Sequence, residues 1–196
     1  MINAELGHVK DVSEFHLSIV EQQEEAHGTD YCAMHLAISK FWREGNCKRY
    51  MELGVHQGGT AANAMLLKPT PQKITLIDID MSRYNKYLKP LAEAHAEENG
   101  IHLDVRETDS TGLGSIDGCD MLVIDSVHKA GFMQRELTIH GPNVRKYIVA
   151  HDTKLLFNKP DDQLHRMLVG WGKENGWKLV ERGETSVGYT VIQKVI

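Results

Sequence analysis

Two short clusters hold the side chains best suited to chemistry, Asp125-Ser126-Val127-His128 and His151-Asp152-Thr153. Each follows a short apolar run, MLVI at 121–124 and YIVA at 147–150, that reads as a buried strand. Neighbouring parallel strands bring their carboxyl ends together, so Asp125, His128, His151 and Asp152 can converge. Two carboxylates beside an imidazole suit a hard divalent ion such as Mg²⁺, which takes oxygen ligands and keeps waters for a substrate hydroxyl. Asp125, His151 and Asp152 are the candidate ligands, and His128 is the candidate acceptor of a hydroxyl proton near neutral pH. The same residues satisfy a plainer reading, in which they are strand-end polar groups that bond to loops and hold no metal. His151 in particular suits a buried, hydrogen-bonded place as well as a ligand's. Lys129 is an alternative base only if its pKa is depressed.

A second constellation is the glycine loop ELGVHQGGT at 52–60, which follows the strand-like run RYMEL at 49–53 and opens a helix. Glycines there permit a tight turn and close backbone approach, and the helix start offers unpaired N–H groups. Gly54 and Gly58 are spaced G-x-x-x-G, unlike the G-x-G-x-x-G of a dinucleotide loop, and no P-loop lysine follows. This context suits an adenosine cofactor. The next apolar run ends in Ile77-Asp78-Ile79-Asp80, where Asp78 is placed to accept hydrogen bonds from both ribose hydroxyls.

Taken together, ELGVHQGGT, LIDID, DMLVIDSVH and IVAHDT resemble the class I S-adenosylmethionine (SAM)-dependent methyltransferases. The resemblance runs over residues 29–153 and is strongest to the small O-methyltransferase-type branch that includes macrolide-sugar methyltransferases. It implies that Glu52 and Gly54 line the methionine part of SAM, that Gly58, Gly59 and Thr60 approach it from the loop, and that Asp78 binds the ribose. Asp109-Ser110, after the third strand, matches the position that reaches the adenine. Asp125 and Asp152 match metal-binding positions, with Asp125 bordering the cofactor as well, and His128 falls near the family's catalytic base. HGTDY at 27–31 resembles a segment of the sugar-modifying branch that closes over the cofactor, whereas Thr153 stands where catechol-type relatives place an asparagine. The implied reaction is Mg²⁺-assisted transfer of a methyl group from SAM to a hydroxyl oxygen of a small molecule or sugar.

The elements that must position these residues alternate short apolar runs with longer amphipathic stretches, the pattern of a parallel sheet covered on both faces. Five strands are expected at 49–53, 73–77, 101–106, 121–124 and 147–150, the third at an edge with Ile101, Leu103 and Val105 on its drier face. Helices are expected at 60–67, at about 82–99 with a kink or late start at Pro90, and at 130–140. Asp161 is a candidate cap for a helix carrying Leu164, Met167, Leu168 and Trp171. Two last strands, 177–182 and 187–194, are joined by too few residues for a crossover and must form an antiparallel hairpin. The expected fold is an α/β, Rossmann-like three-layer sandwich with a seven-stranded, mostly parallel sheet. Residues 1–48 form a helical lid and 49–196 the core of a single domain.

Composition narrows the function classes. The 196 residues suit one domain, and 41% hydrophobic with 25% charged residues is an ordinary globular balance. A net charge of −5 with scattered Lys and Arg disfavours a nucleic-acid footprint. No basic leader and no run of about eighteen apolar residues appears, so neither secretion nor a membrane partner is expected and the location reads as cytoplasmic. Cys32, Cys47 and Cys119 are too scattered for a disulfide framework or a zinc site, and Trp42, Trp171 and Trp177 read as packing residues. Exposed edge strands and the N-terminal helices make a homodimer an option. Two rival functions stand: a SAM-binding module without catalysis, and an NAD-dependent oxidoreductase, which the glycine spacing disfavours. Nitrogen methylation ranks below oxygen methylation, because no N-P-P-Y-type signature is present.

Overall fold

The computed structural model describes residues 9–27, 30–114, 117–156, 159–160, 162–184 and 187–195. One sheet holds seven strands: β1 (Arg49–Leu53), β2 (Lys73–Asp78), β3 (His102–Glu107), β4 (Cys119–Ile124), β5 (Val144–His151), β6 (Trp177–Gly183) and β7 (Tyr189–Lys194). Their spatial order is β3-β2-β1-β4-β5-β7-β6. β1 to β5 are mutually parallel, while β7 runs antiparallel to both β5 and β6. The expected terminal hairpin is therefore present, and its second strand is the one that joins the sheet. A separate two-residue ladder pairs Leu155–Leu156 with Lys159–Pro160.

Alternation along the central strands explains the layers. Tyr50, Ile74, Leu76, Met121 and Val123 face one core, and Met51, Leu53, Ile77, Leu122 and Ile124 face the other. The first core is covered by α1 (Val12–His27), α2 (Asp30–Glu44), α3 (Gly59–Met65), α4 (Ser82–Tyr87) and α5 (Lys89–Asn99), and the second by α6 (Ala130–His140) and α7 (Gln163–Glu174). Phe15, Ile19, Met34, Ile38 and Trp42 are all buried in the first core, so α1 and α2 are an integral layer of it. Trp42 also donates its indole N–H to the Pro69 carbonyl, and Trp177 is buried, both as packing residues.

Three sequence expectations change in detail. The single helix over 82–99 is two helices broken at Leu88, because Pro90 fits only the first turn of α5, and Gly100 at φ 65° ends it. The cap of α7 is Asp162, and Asp161 lies outside the described residues. On β3 the apolar face is not the drier one throughout. Val105 is 37% exposed at the sheet edge, while Asp104 is closed over by bonds from Arg106 and Lys73. The HGTDY stretch falls partly outside the described residues. Among those residues no helix is long and apolar enough to cross a membrane.

Candidate active site

The carboxyl ends of β1, β2, β4 and β5 open into a cavity of about 510 Å³. Its wall includes Glu52, Gly54, Gly59, Thr60, Asp78, Asp109, Ser110, Asp125, His128, His151 and Asp152, so eleven of the twelve residues singled out from sequence meet in one place. Gly58 is the exception. It caps α3 at φ 95°, and a Cβ on it would come 2.5 Å from the Leu88 side chain. Gly54, at φ 87°, is likewise fixed by packing, since a Cβ there would lie 2.2 Å from the Asp125 carbonyl oxygen. The glycines thus permit β1, β4 and α4–α5 to close together, and the loop backbone faces the cavity as a result.

Asp78 does more than line the wall. Its Oδ2 accepts the N–H groups of Val55 at 2.6 Å and His56 at 2.8 Å, and its Oδ1 accepts that of Asp80 at 3.1 Å. The strand-end carboxylate therefore anchors the glycine loop, and Oδ1 alone keeps lone-pair capacity for a ligand hydroxyl. Glu52 lies at 1% exposure, and burial pushes its carboxyl well above the usual range, although the Tyr50 hydroxyl donates to it at 2.9 Å. Thr60 is tied to the N-terminal helices: His35 Nε2 sits 3.3 Å from its hydroxyl, and His35 Nδ1 sits 2.9 Å from His16 Nε2.

The acid and histidine cluster is compact. His128 Nε2 is 2.9 Å from Asp152 Oδ2 and 3.6 Å from Asp125 Oδ1, and His151 Nδ1 is 3.2 Å from one oxygen of each carboxylate. The hydrogen bonds from Asp125 and Asp152 raise His128 to about 10. Burial works against charge at His151, yet the two carboxylates still raise it to about 10. Burial also opposes ionisation of Asp125 and Asp152, but the imidazoles outweigh it and hold both below the usual carboxylate range. The carboxylates thus favour the charged form of both imidazoles, which opposes the free-base role assigned to His128 from sequence. Asp152 takes up a left-handed backbone, φ 53°, at a cost of about 1 kcal/mol for a residue with a Cβ.

One donor atom from each of Asp125, His128 and Asp152 lies within 4.8 Å of the others, a spacing that fits a cation. His128 thereby joins the candidate ligand set that the sequence assigned to Asp125, His151 and Asp152. Thr153 is fully buried and accepts the Thr190 hydroxyl at 2.9 Å, so it serves the β5–β7 contact.

Elsewhere on the wall, Asp109 Oδ1 accepts the backbone N–H and hydroxyl of Thr111, each at 2.8 Å. The Ser110 and Ser126 hydroxyls both reach Glu136, a fully buried residue of α6. Sequence reasoning missed Glu136 although it was readable: it shares the buried stripe Met133, Leu137 and His140, where a carboxylate needs partners. Gln23, His56, Ile79 and Phe132 also line the wall, and none of them was singled out from sequence as a site residue. Ile79 is 73% exposed, an apolar side chain left open beside the cavity.

No family model matches the chain, and no curated protein matches it. Solved structures do. A protein described as a caffeoyl-CoA O-methyltransferase from Staphylococcus aureus is similar with a TM-score of 0.67, at 13% identity over 96% of this chain and 94% of that one. A SAM-dependent methyltransferase from Clostridium acetobutylicum aligns with a TM-score of 0.64, at 10% identity over 95% and 100%. The SAM-bound amino pentose methyltransferase of calicheamicin biosynthesis from Micromonospora echinaspora aligns with a TM-score of 0.59, at 9% identity over 90% and 97%. The chain has the class I methyltransferase fold.

Proposed function

We propose that this protein is a SAM-dependent methyltransferase that methylates a hydroxyl oxygen of a small molecule or sugar, with a divalent cation assisting. The observation that carries the reading is the convergence of the anchored glycine loop, Asp78 and the acid–histidine cluster on one cavity. The volume lies within the ~300–1,000 Å³ typical of small-molecule sites. The wall fits the cofactor's parts: a buried acid and loop amides for the amino-acid end, Asp78 Oδ1 for a ribose hydroxyl, and Ile79 with Phe132 for a flat base. The relatives of known fold include SAM-bound methyltransferases, which adds support.

In this reading Glu52, Gly54, Gly58, Gly59, Thr60, Asp78, Asp109, Ser110 and Asp125 hold SAM, which supplies an electrophilic methyl group. Asp125 and Asp152, with His128 or His151, hold Mg²⁺, whose charge eases loss of a hydroxyl proton. Positive charge on the two carboxylates lowers the imidazole pKa values, because it competes with the protons those carboxylates now favour. With His151 completing the cation's ligands, His128, 37% exposed, would be left to accept the hydroxyl proton. The cluster and Ser110 line the same cavity, so position as well as charge holds the acceptor oxygen beside the cofactor. The chain acts as one domain, with α1 and α2 built into the layer that covers the sheet. A cytoplasmic setting accords with Cys47 and Cys119, unpaired thiols that burial pushes up to about 12.

A thermal-shift titration tests the cofactor assignment. S-adenosylhomocysteine at a hundred times its Kd is expected to raise the melting temperature by about 5–10 °C, and NAD to leave it unchanged. Stabilisation by NAD alone sinks the proposal.

A further inference from the structure

Three elements meet behind the cavity wall. Ser110 follows β3, Ser126 follows β4, and both residues line the cavity. Glu136 reaches them from α6 with no exposed surface of its own. Its Oε1 accepts the Ser110 hydroxyl at 2.6 Å, and the Ser126 hydroxyl lies 2.8 Å from both Oε1 and Oε2. The Ser110 carbonyl is held in turn by buried His140, whose Nε2 lies 2.9 Å away.

A serine hydroxyl has one hydrogen and two lone pairs. With both hydrogens directed back to the same carboxylate, the two hydroxyls have only lone pairs to present to the cavity. An acceptor pair of this kind is satisfied by a group that donates, such as an amino group, and is left unsatisfied by a carbonyl oxygen, which repels it. Apolar Ile79 and Phe132 belong to the same wall and suit the faces of a flat ring. Asp109 adds to this polarity, since its carboxylate already accepts from Thr111 and has no hydrogen to offer.

We propose that Glu136 is a positioning residue that sets base specificity, locking Ser110 and Ser126 as acceptors so that the site takes a 6-aminopurine and rejects a 6-oxopurine. The inference rests on the SAM reading and adds to it the identity of the group that reads the base.

Calorimetric titration of S-adenosylhomocysteine and its 6-oxo counterpart S-inosylhomocysteine into the whole protein tests it. The wild type is expected to prefer the amino compound by more than about tenfold. Glu136→Gln keeps the size of the side chain but supplies an N–H₂ donor to one serine, which frees that hydroxyl hydrogen to turn to the cavity. The preference then falls by at least about threefold, chiefly because the 6-oxo compound binds better. A purely structural role for Glu136 would weaken both ligands alike and leave their ratio unchanged, which overturns the inference. Ser126→Ala gives an independent check if Glu136→Gln does not fold: loss of one acceptor lowers the preference, weakening the amino compound and relieving the repulsion of the 6-oxo compound, and an unchanged ratio overturns the inference. Equal binding of both compounds by the wild type also overturns the inference while leaving the SAM reading intact. Binding of neither overturns both.

Discussion

Two histidine pairs flank Thr60 and the cavity, and they behave in opposite ways. His16 and His35 lie between α1 and α2, where burial lowers both imidazoles, and His35 is lowered further by His16 itself. His128 and His151 lie at the ends of β4 and β5, where two carboxylates raise both to about 10. Burial lowers the imidazole at all four of these sites, so burial does not decide the charge. The presence of Asp125 and Asp152 does. The neutral pair ties the N-terminal layer to the glycine loop, and the charged pair keeps two carboxylates close together that a cation can take over.

The sharpest way to break this contrast is to remove a carboxylate. Asp125→Ala leaves His151 beside one acid instead of two and is expected to cost about 3 kcal/mol in urea unfolding at neutral pH. A loss below about 1 kcal/mol would mean that the imidazoles are not charged. Next in size is the coupling of cation to proton. Mg²⁺ binding must displace imidazole protons, so its affinity should rise by about tenfold per pH unit for each proton released between pH 6.5 and 8.5. Titration in buffers of different ionisation enthalpy counts those protons, and a pH-independent affinity would exclude the carboxylate cluster as the site.

The pH dependence of stability separates the pairs directly. His128 and His151 are raised from 6.5, so their stabilising effect is complete below pH 6.5 and is lost as pH climbs toward 10. His16 and His35 are lowered from 6.5, so stability is lost on their account as pH falls below 6.5. Melting curves across pH 5 to 10 should therefore lose their alkaline limb in Asp152→Asn and their acid limb in His35→Gln. If one variant flattened both limbs, the two pairs would not be independent. The smallest effect is expected for His16→Ala, which removes one hydrogen bond to His35 and should cost about 1 kcal/mol by the same unfolding assay.

What the sequence made legible follows from how local each signal is. β1 and α6 match their expected bounds, because RYMEL is a short apolar run before a glycine turn and residues 130–140 carry a clear helical stripe. The candidate site residues from Glu52 to Asp152 were legible because they lie at strand ends or in the residues just after them, where a motif and a position coincide. The charge state of His128 was not, since it depends on Asp152, which comes close only through the β4–β5 register. The second task of Asp78 was hidden for the same reason: loop amides of Val55 and His56 are brought to it by the β1–β2 pairing. Glu136 lay in view as an acid on an apolar stripe, but its partners Ser110 and Ser126 come from two other connections.

The order of the last two strands bears on how the chain is made. β6 precedes β7 in the chain yet touches the sheet only through it. During synthesis at about 5–20 residues per second, β5 waits with an open edge and β6 with nothing to pair to until Tyr189–Lys194 has emerged. The β5 edge beside the acid–histidine cluster is therefore closed only once β7 has been made, and a chain interrupted before Tyr189 would have a sheet that ends at β5.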